Sequence, residues 1–234
     1  MGNEKSERIQ TSLLNRAEKV ALLWLAERQP RWMTSDMLTY IGVVGALVCA
    51  IGFALAHIDI HYLWLSSFGL FINWYGDSLD GTLARVRNTQ RPKYGFFIDH
   101  SLDAVTICMM CVGAGLSPIF RLDLALMLLG AYLALSVYTY ICTILKDEFR
   151  LTYSGFGPTE LRLVVILFNT MYMYIEPLRT LSWTIATQTF YFFDVVAFVL
   201  IIFMTYMWIS QFLKDRKLMA EIDPLKPYNP EEKK

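Results

Sequence analysis

Residues 73–85 read Asn73-Trp74-Tyr75-Gly76-Asp77-Ser78-Leu79-Asp80-Gly81-Thr82-Leu83-Ala84-Arg85, and residues 95–103 read Gly95-Phe96-Phe97-Ile98-Asp99-His100-Ser101-Leu102-Asp103. Four carboxylates stand at the near ends of two long apolar runs, 61–83 and 94–116, joined by a short polar connection that contains Pro92. Each run has about the 20 residues that an α-helix needs to cross roughly 30 Å of hydrocarbon. On helices, Asp77 and Asp80 are i,i+3 and Asp99 and Asp103 are i,i+4, so each pair projects from one face. A short connection makes the two helices antiparallel neighbours, and the pairs can then face each other. The stretch reads as a transmembrane hairpin loaded with acid at one end.

Outward from it, comparable runs recur at residues 37–58, 122–145, 161–181 and 189–213. Six spans in all predict an all-α integral membrane protein. Backbone polar groups in lipid need partners within the segment, and the period-2 alternation of barrel strands is absent from the sequence. Composition agrees: 55% of residues are hydrophobic and 18% charged, with mean hydropathy +0.39. A soluble domain carries roughly 25% charged residues. Disorder, a collagen repeat and a small disulfide scaffold are excluded. The four cysteines, Cys49, Cys108, Cys111 and Cys142, all fall inside expected spans. They imply neither a disulfide nor a metal site.

Residues 1–33 are expected to form a separate cytosolic or interfacial segment, 34–213 a six-helix transmembrane domain and 214–234 a cytosolic tail, of which 223–234 is polar and proline-containing. The first segment is too charged for a secretory signal peptide. Leu13, Leu14, Ala17, Val20, Ala21, Trp24 and Leu25 lie near helical spacing, with Arg16, Lys19 and Arg28 elsewhere on the wheel. Such a helix can lie in the membrane interface, or pack on the protein's own cytosolic face.

Net charge is zero, from 21 basic and 21 acidic residues, but position matters more than the sum. With six spans, only Arg121 and Arg179 of the 21 basic residues fall on the far side. The positive-inside rule then places both termini and the acidic site in the cytosol. No nucleic-acid partner is expected; the partner surface is the lipid bilayer.

Four carboxylates this close need compensation, and ionisable groups in membrane segments mark functional sites. Protonation is one solution, as in an ion or proton transporter. Divalent metal is the other, since hard oxygen ligands suit Mg²⁺, Mn²⁺ or Ca²⁺. Gly81 and Ala84 leave room beside the helix for a flat group, and Arg85 offers a guanidinium suited to phosphate. Metal, base and phosphate together suggest a nucleotide diphosphate.

The stretch resembles the signature of the CDP-alcohol phosphotransferase family, D-x-x-D-G-x-x-A-R, a spacer, then G-x-x-x-D-x-x-x-D. Asp77, Asp80, Gly81, Ala84, Arg85, Gly95, Asp99 and Asp103 fill its eight fixed positions. The spacer is one residue longer than usual, and the polar connection 86–94 is expected to absorb it. Residues 34–42 resemble the family's entry to the first helix, with Ser35-Asp36 in place of Pro-Asn, Asp36 as N-cap and Thr39 at the matching threonine. Residues 157–162 resemble its G-P-x-E element, contributing Pro158 and Glu160.

That resemblance implies a membrane enzyme of phospholipid synthesis with two Mg²⁺ or Mn²⁺ ions at Asp77, Asp80, Asp99 and Asp103. Asp80, Gly81, Ala84, Arg85, Gly95 and Thr39 would bind a CDP-linked donor. Asp103 would take the proton of an acceptor hydroxyl, releasing CMP, and the protein would be a homodimer. The six-span length resembles the smaller, prokaryotic-type enzymes of a bacterial cytoplasmic membrane. These use CDP-diacylglycerol with a polar alcohol, so inositol or inositol phosphate is favoured, with glycerol phosphate and serine also open. Lys146, Arg150, Pro158, Glu160 and Arg162 could line the acceptor pocket, although positive-inside alone also accounts for the three basic residues. Against that, Asp99-His100 resembles the choline and ethanolamine branch, which transfers from CDP-choline or CDP-ethanolamine to a lipid alcohol. Asp194 is expected at the outer interface.

Overall fold

The structure, a computed structural model, describes residues 8–9, 15–146, 149–150, 158–185 and 187–225. Helices dominate: α1 (Asn15–Glu27), α2 (Ser35–Leu55), α3 (Leu63–Val86), α4 (Pro92–Gly115), α5 (Leu122–Lys146), α6 (Pro158–Tyr174), α7 (Glu176–Thr180) and α8 (Phe192–Ile222). A 3₁₀ turn, Ile60–Tyr62, leads into α3. The two-residue strands β1 (Arg8–Ile9) and β2 (Phe149–Arg150) pair in parallel. Four helices among the described residues are long and apolar enough to cross a membrane: α2, α4, α5 and α8. The other two expected spans fall short of that measure. α3 has the length but carries Asp77, Asp80 and Arg85, and α6 has only 17 residues.

The fifth run ends early for a local reason. Pro177 lacks the N–H that would bond the Met173 carbonyl, and its ring would clash with that carbonyl in a continuous helix. The helix therefore stops at Tyr174, and the short α7 begins at Glu176. The connection after residue 181, together with the first residues of the expected sixth span, forms an antiparallel hairpin, β3 (Ser182–Ile185) and β4 (Gln188–Tyr191). The last helix accordingly starts at Phe192 rather than at residue 189, and it continues through Ile222, past residue 213. Asp194 is not at an open interface but buried: Oδ1 accepts from the Arg121 N–H (3.1 Å) and Oδ2 from the Tyr191 N–H (3.0 Å).

The cap of α2 differs from expectation by two residues. Thr34, in extended backbone, accepts the Met37 N–H on Oγ1 at 3.2 Å. Asp36 instead receives the Arg91 guanidinium at 2.7 Å. Thr34→Ala is therefore expected to cost about 1 kcal/mol, and Asp36→Asn less, since its ion pair with Arg91 is exposed and screened by solvent. Thermal unfolding in detergent separates the two.

α2 and α3 pack antiparallel in backbone contact. Small residues allow this, and membrane helices use them because lipid supplies no hydrophobic drive between helices. A Cβ on Gly76 would lie 2.3 Å from the Gly42 nitrogen, and one on Gly45 would lie 2.3 Å from the Asn73 nitrogen. Asn73 Nδ2 donates to the Gly42 carbonyl at 3.0 Å and fixes the register.

α1 packs on the protein's own body, the second of the two expectations for its sequence. Leu22 and Ala26 are buried against Leu38, Leu79 and Leu83, while Val20, Leu23 and Trp24 are exposed. Glu18 Oε1 accepts from Trp74 Nε1 (2.8 Å) and Thr159 Oγ1 (2.6 Å), tying α1 to α3 and α6. Arg87 donates to the carbonyls of Gln29, Pro30 and Met33 and so pins the α1–α2 linker to the end of α3.

Candidate active site

The carboxylates come from two elements whose approach the α2–α3 packing prepares. Asp77 and Asp80 sit on the last three turns of α3, Asp99 and Asp103 on the first half of α4. Between the helices Asn88 adopts φ 54°, a left-handed conformation asparagine tolerates, and the Thr89 N–H closes on the Ala84 carbonyl at 2.9 Å. This tight exit from α3 accommodates the longer spacer, because the acids still converge. Asp77, Asp99 and Asp103 each offer an oxygen within 4.8 Å of the others, and all three are half-buried.

Asp80 is handled differently. Its Oδ2 accepts from Thr39 Oγ1 at 2.6 Å, its Oδ1 from the Gly81 N–H, and its carbonyl from Ser35 Oγ at 2.9 Å. The expected link between Thr39 and this site is thus a hydrogen bond from α2 to the α3 carboxylate. A small cavity opens beside the three acids, lined among others by Thr39, Gly42, Asn73, Leu102 and Thr106. Thr106 Oγ1 donates to the Asp103 carbonyl at 2.9 Å.

Residues 32–214 match the description CDP-alcohol phosphatidyltransferase over most of the chain. The chain belongs to the CDP-alcohol phosphatidyltransferase family. Among its relatives, cholinephosphotransferase 1 of Xenopus laevis is 29% identical over 108 residues, 44% of this chain and 27% of the relative. Cholinephosphotransferase 1 of Danio rerio is 31% identical over 96 residues, 38% of this chain and 25% of the relative. The aligned stretches thus cover about a quarter of those relatives' length.

The remaining signature positions of this family member fall around the acids. A Cβ at Gly81 would meet only Arg85 Nη1, at 3.5 Å, and one at Gly95 would meet nothing within 4 Å. Space at Gly81 is thus open, as the flat-group reading requires. Arg85 is exposed and donates from Nη2 to Thr82 Oγ1 at 2.8 Å. Ala84 is half-buried on the same helix.

Of the expected acceptor residues, Arg162 contacts two residues of the cavity lining, Asp77 and Asn73. Its Nη2 donates to Asp77 Oδ2 at 2.6 Å and its Nε to Asn73 Oδ1 at 3.0 Å. Pro158 opens α6, and Glu160, two residues before Arg162, is buried. The side chains of Lys146 and Arg150 lie outside the described residues, as does the tail 226–234. His100 Nδ1 donates to the Phe96 carbonyl at 2.8 Å and lies 3.8 Å from Asp99 Oδ2, and the ring stacks on Phe96 and meets Tyr140 edge-on. Asn73 was not anticipated. Its only sequence signal is a polar amide in an apolar run, one turn before Asp77.

Proposed function

We propose that this protein is a six-span membrane transferase with its termini and active site in the cytosol, which moves a substituted phosphate from a CDP-linked donor to an alcohol and releases CMP. The observation that carries this reading is the convergence of Asp77, Asp99 and Asp103 from two helices, beside a helix face left open at Gly81. A donor set made only of carboxylate oxygens fits hard divalent ions, Mg²⁺ or Mn²⁺. Asp77, Asp80, Asp99 and Asp103 would hold two of them. Bound there, the ions would neutralise the charge of the transferring phosphoryl group and of the departing phosphate.

The chain's own groups supply the rest. Asp103 accepts the proton of the acceptor hydroxyl at its carboxylate. Gly81 and Ala84 make room for the nucleotide, with Gly95 at the start of α4, and Arg85 donates to phosphate oxygens. Thr39 orients the Asp80 carboxylate. Arg162, with Lys146, Arg150, Pro158 and Glu160, forms the acceptor end. A homodimer is proposed on family resemblance.

Two relatives named cholinephosphotransferase support CDP-choline or CDP-ethanolamine as donor and a lipid alcohol as acceptor, ahead of the inositol acceptors favoured from chain length. The Asp99-His100 pair supports the same choice. A second reading, CDP-diacylglycerol with a phosphorylated polar alcohol, is favoured by Arg162, a cation held on Asp77 and Asn73 of the cavity lining.

The test is a panel of CDP-choline, CDP-ethanolamine and CDP-diacylglycerol with diacylglycerol, inositol phosphate, glycerol phosphate and serine, reading CMP. Turnover is expected with Mg²⁺ or Mn²⁺ and is expected to vanish with chelator. No CMP from any pair sinks the enzyme reading. Proton or cation flux in proteoliposomes instead would support a transporter.

Gly81→Val sharpens the assignment of the donor site. Its added methyls enter open space, so the thermal midpoint is expected to stay or rise, since glycine is a poor helix former. The same methyls occupy the room given to the nucleotide. A fall of about 100-fold in kcat/KM is expected, the scale of an ångström-level misplacement. Undiminished turnover at an unchanged donor KM would remove Gly81 from the donor site.

A further inference from the structure

Arg162 lies 85 residues beyond Asp77 in the sequence, yet its guanidinium pairs with that carboxylate. It is held from two sides. Nε is anchored on Asn73 Oδ1, and Nη2 reaches Asp77 Oδ2 one helical turn further along α3. Asn73 is itself fixed, since it is buried and donates to the Gly42 carbonyl on α2. The anchor is therefore part of the α2–α3 packing and does not swing with the arginine. Both members of the ion pair are well covered, with side-chain exposures of 16% for Arg162 and 25% for Asp77. Such a pair is screened less than one at the surface.

The consequence concerns the charge balance of the site, and it rests on the metal reading proposed above. Three carboxylates with oxygens within 4.8 Å of one another repel when ionised. A planar guanidinium, always charged and able to fork across two acceptors, is suited to relieve that repulsion. It does so on a carboxylate that a divalent ion would also use.

We propose that Arg162 is an internal counter-cation that occupies Asp77 until a divalent ion displaces it, so that metal loading and the docking of α6 on α3 compete for one carboxylate. Asn73 keeps the displaced guanidinium at the cavity wall. Arg162 is thus a positioning residue whose contact with Asp77 weakens metal affinity while holding the metal-free site together.

Direct Mn²⁺ titration tests this, reading free Mn²⁺ by electron paramagnetic resonance on the full chain in detergent. Wild type, Arg162→Gln and Arg162→Lys are compared, and monodispersity and metal-free melting report folding. Arg162→Gln is expected to bind Mn²⁺ about tenfold tighter, the change produced by about 1.4 kcal/mol of lost competition. It is also expected to melt lower without metal and to gain more from added Mn²⁺. Arg162→Lys keeps the charge but cannot span Asn73 and Asp77 together, so its affinity is expected to rise as well, by less. This second variant also stands in if the glutamine protein does not fold.

Unchanged or weaker binding in Arg162→Gln overturns the inference and leaves the metal site intact. Wild-type affinity in Arg162→Lys beside a gain in Arg162→Gln reduces the effect to bulk charge, and overturns the anchored competition. No Mn²⁺ bound by any of the three proteins removes the metal reading itself, and this inference with it. Binding seen only in the variants supports displacement in its strongest form.

Discussion

Asp103→Asn is expected to abolish CMP release while leaving the protein at least as stable as wild type. The two effects have one cause. Asparagine has nearly the shape of aspartate, so the packing of α4 is retained and the Thr106 hydroxyl still bonds the residue 103 carbonyl. What disappears is a negative charge. A positioned base contributes roughly 10²–10⁴ in rate, and loss of an anionic ligand beside Asp77 and Asp99 adds to that. Turnover should fall below detection, about 10⁴-fold or more. In the metal-free protein the same change removes like-charge repulsion. Two unit charges about 5 Å apart repel by at most about 3 kcal/mol at an effective dielectric near 20. Arg162 already offsets part of this on Asp77, so a gain of about 1 kcal/mol is the reasonable scale. Function bought at a cost in stability is a general mark of active sites. Melting in chelator and CMP release in Mg²⁺, measured on one preparation, check both halves. A variant that retains turnover takes the proton-accepting role from Asp103. A transporter would instead tolerate the neutral residue in a pH-dependent way.

Much of this site was legible because helical geometry is local. The spacings 77/80 and 99/103, with a short polar connection, were enough to place acids on facing helices, and three of the four do converge. What stayed hidden depended on partners far along the chain. Thr34 and Asp36 are both good N-caps by type, and Arg91, drawing Asp36 into an ion pair, is the partner that separates their roles. The contact of Arg162 with Asp77 links residues 85 apart, and by hydropathy Arg162 is one more cytosolic basic residue. The hairpin of β3 and β4 was concealed because Phe190 and Tyr191 read as the start of the sixth span, while Trp183 and Ile185 fell in the short connection before it. A 20-residue window cannot distinguish such a hairpin from helix ends. Orientation was read from the uneven placement of the basic residues, and Arg121 shows what the exceptions do: it closes the end of the hairpin on Gln188 and Asp123.

Gly76→Ala is the smallest substitution expected to break the fold. Adding a methyl group to a helical glycine ordinarily stabilises by about 0.5–1 kcal/mol, because alanine loses less backbone entropy. At Gly76 the sign should reverse. The new carbon would stand 2.3 Å from the Gly42 nitrogen and 2.4 Å from the Leu38 carbonyl oxygen. These are backbone atoms, so no side chain can rotate away, and α2 and α3 must separate. Overpacking of a tight core typically costs 1–3 kcal/mol, and a backbone clash leaves fewer ways to relax, so a loss of at least about 3 kcal/mol is expected. Gly130, on α5, is the matched control, because a Cβ there would meet nothing within 4 Å. Gly130→Ala is expected to leave the melting midpoint unchanged or to raise it. The damage at Gly76 should also reach the chemistry. Separation of α2 from α3 lengthens the 2.6 Å bond from Thr39 to Asp80 and shifts Asp77, the next residue, relative to Asp99 and Asp103. CMP release should therefore fall in whatever fraction remains folded. Equal melting of the two alanine variants would show that the helices do not meet through their backbones at Gly76, and that Asp77 owes its position to something other than that contact.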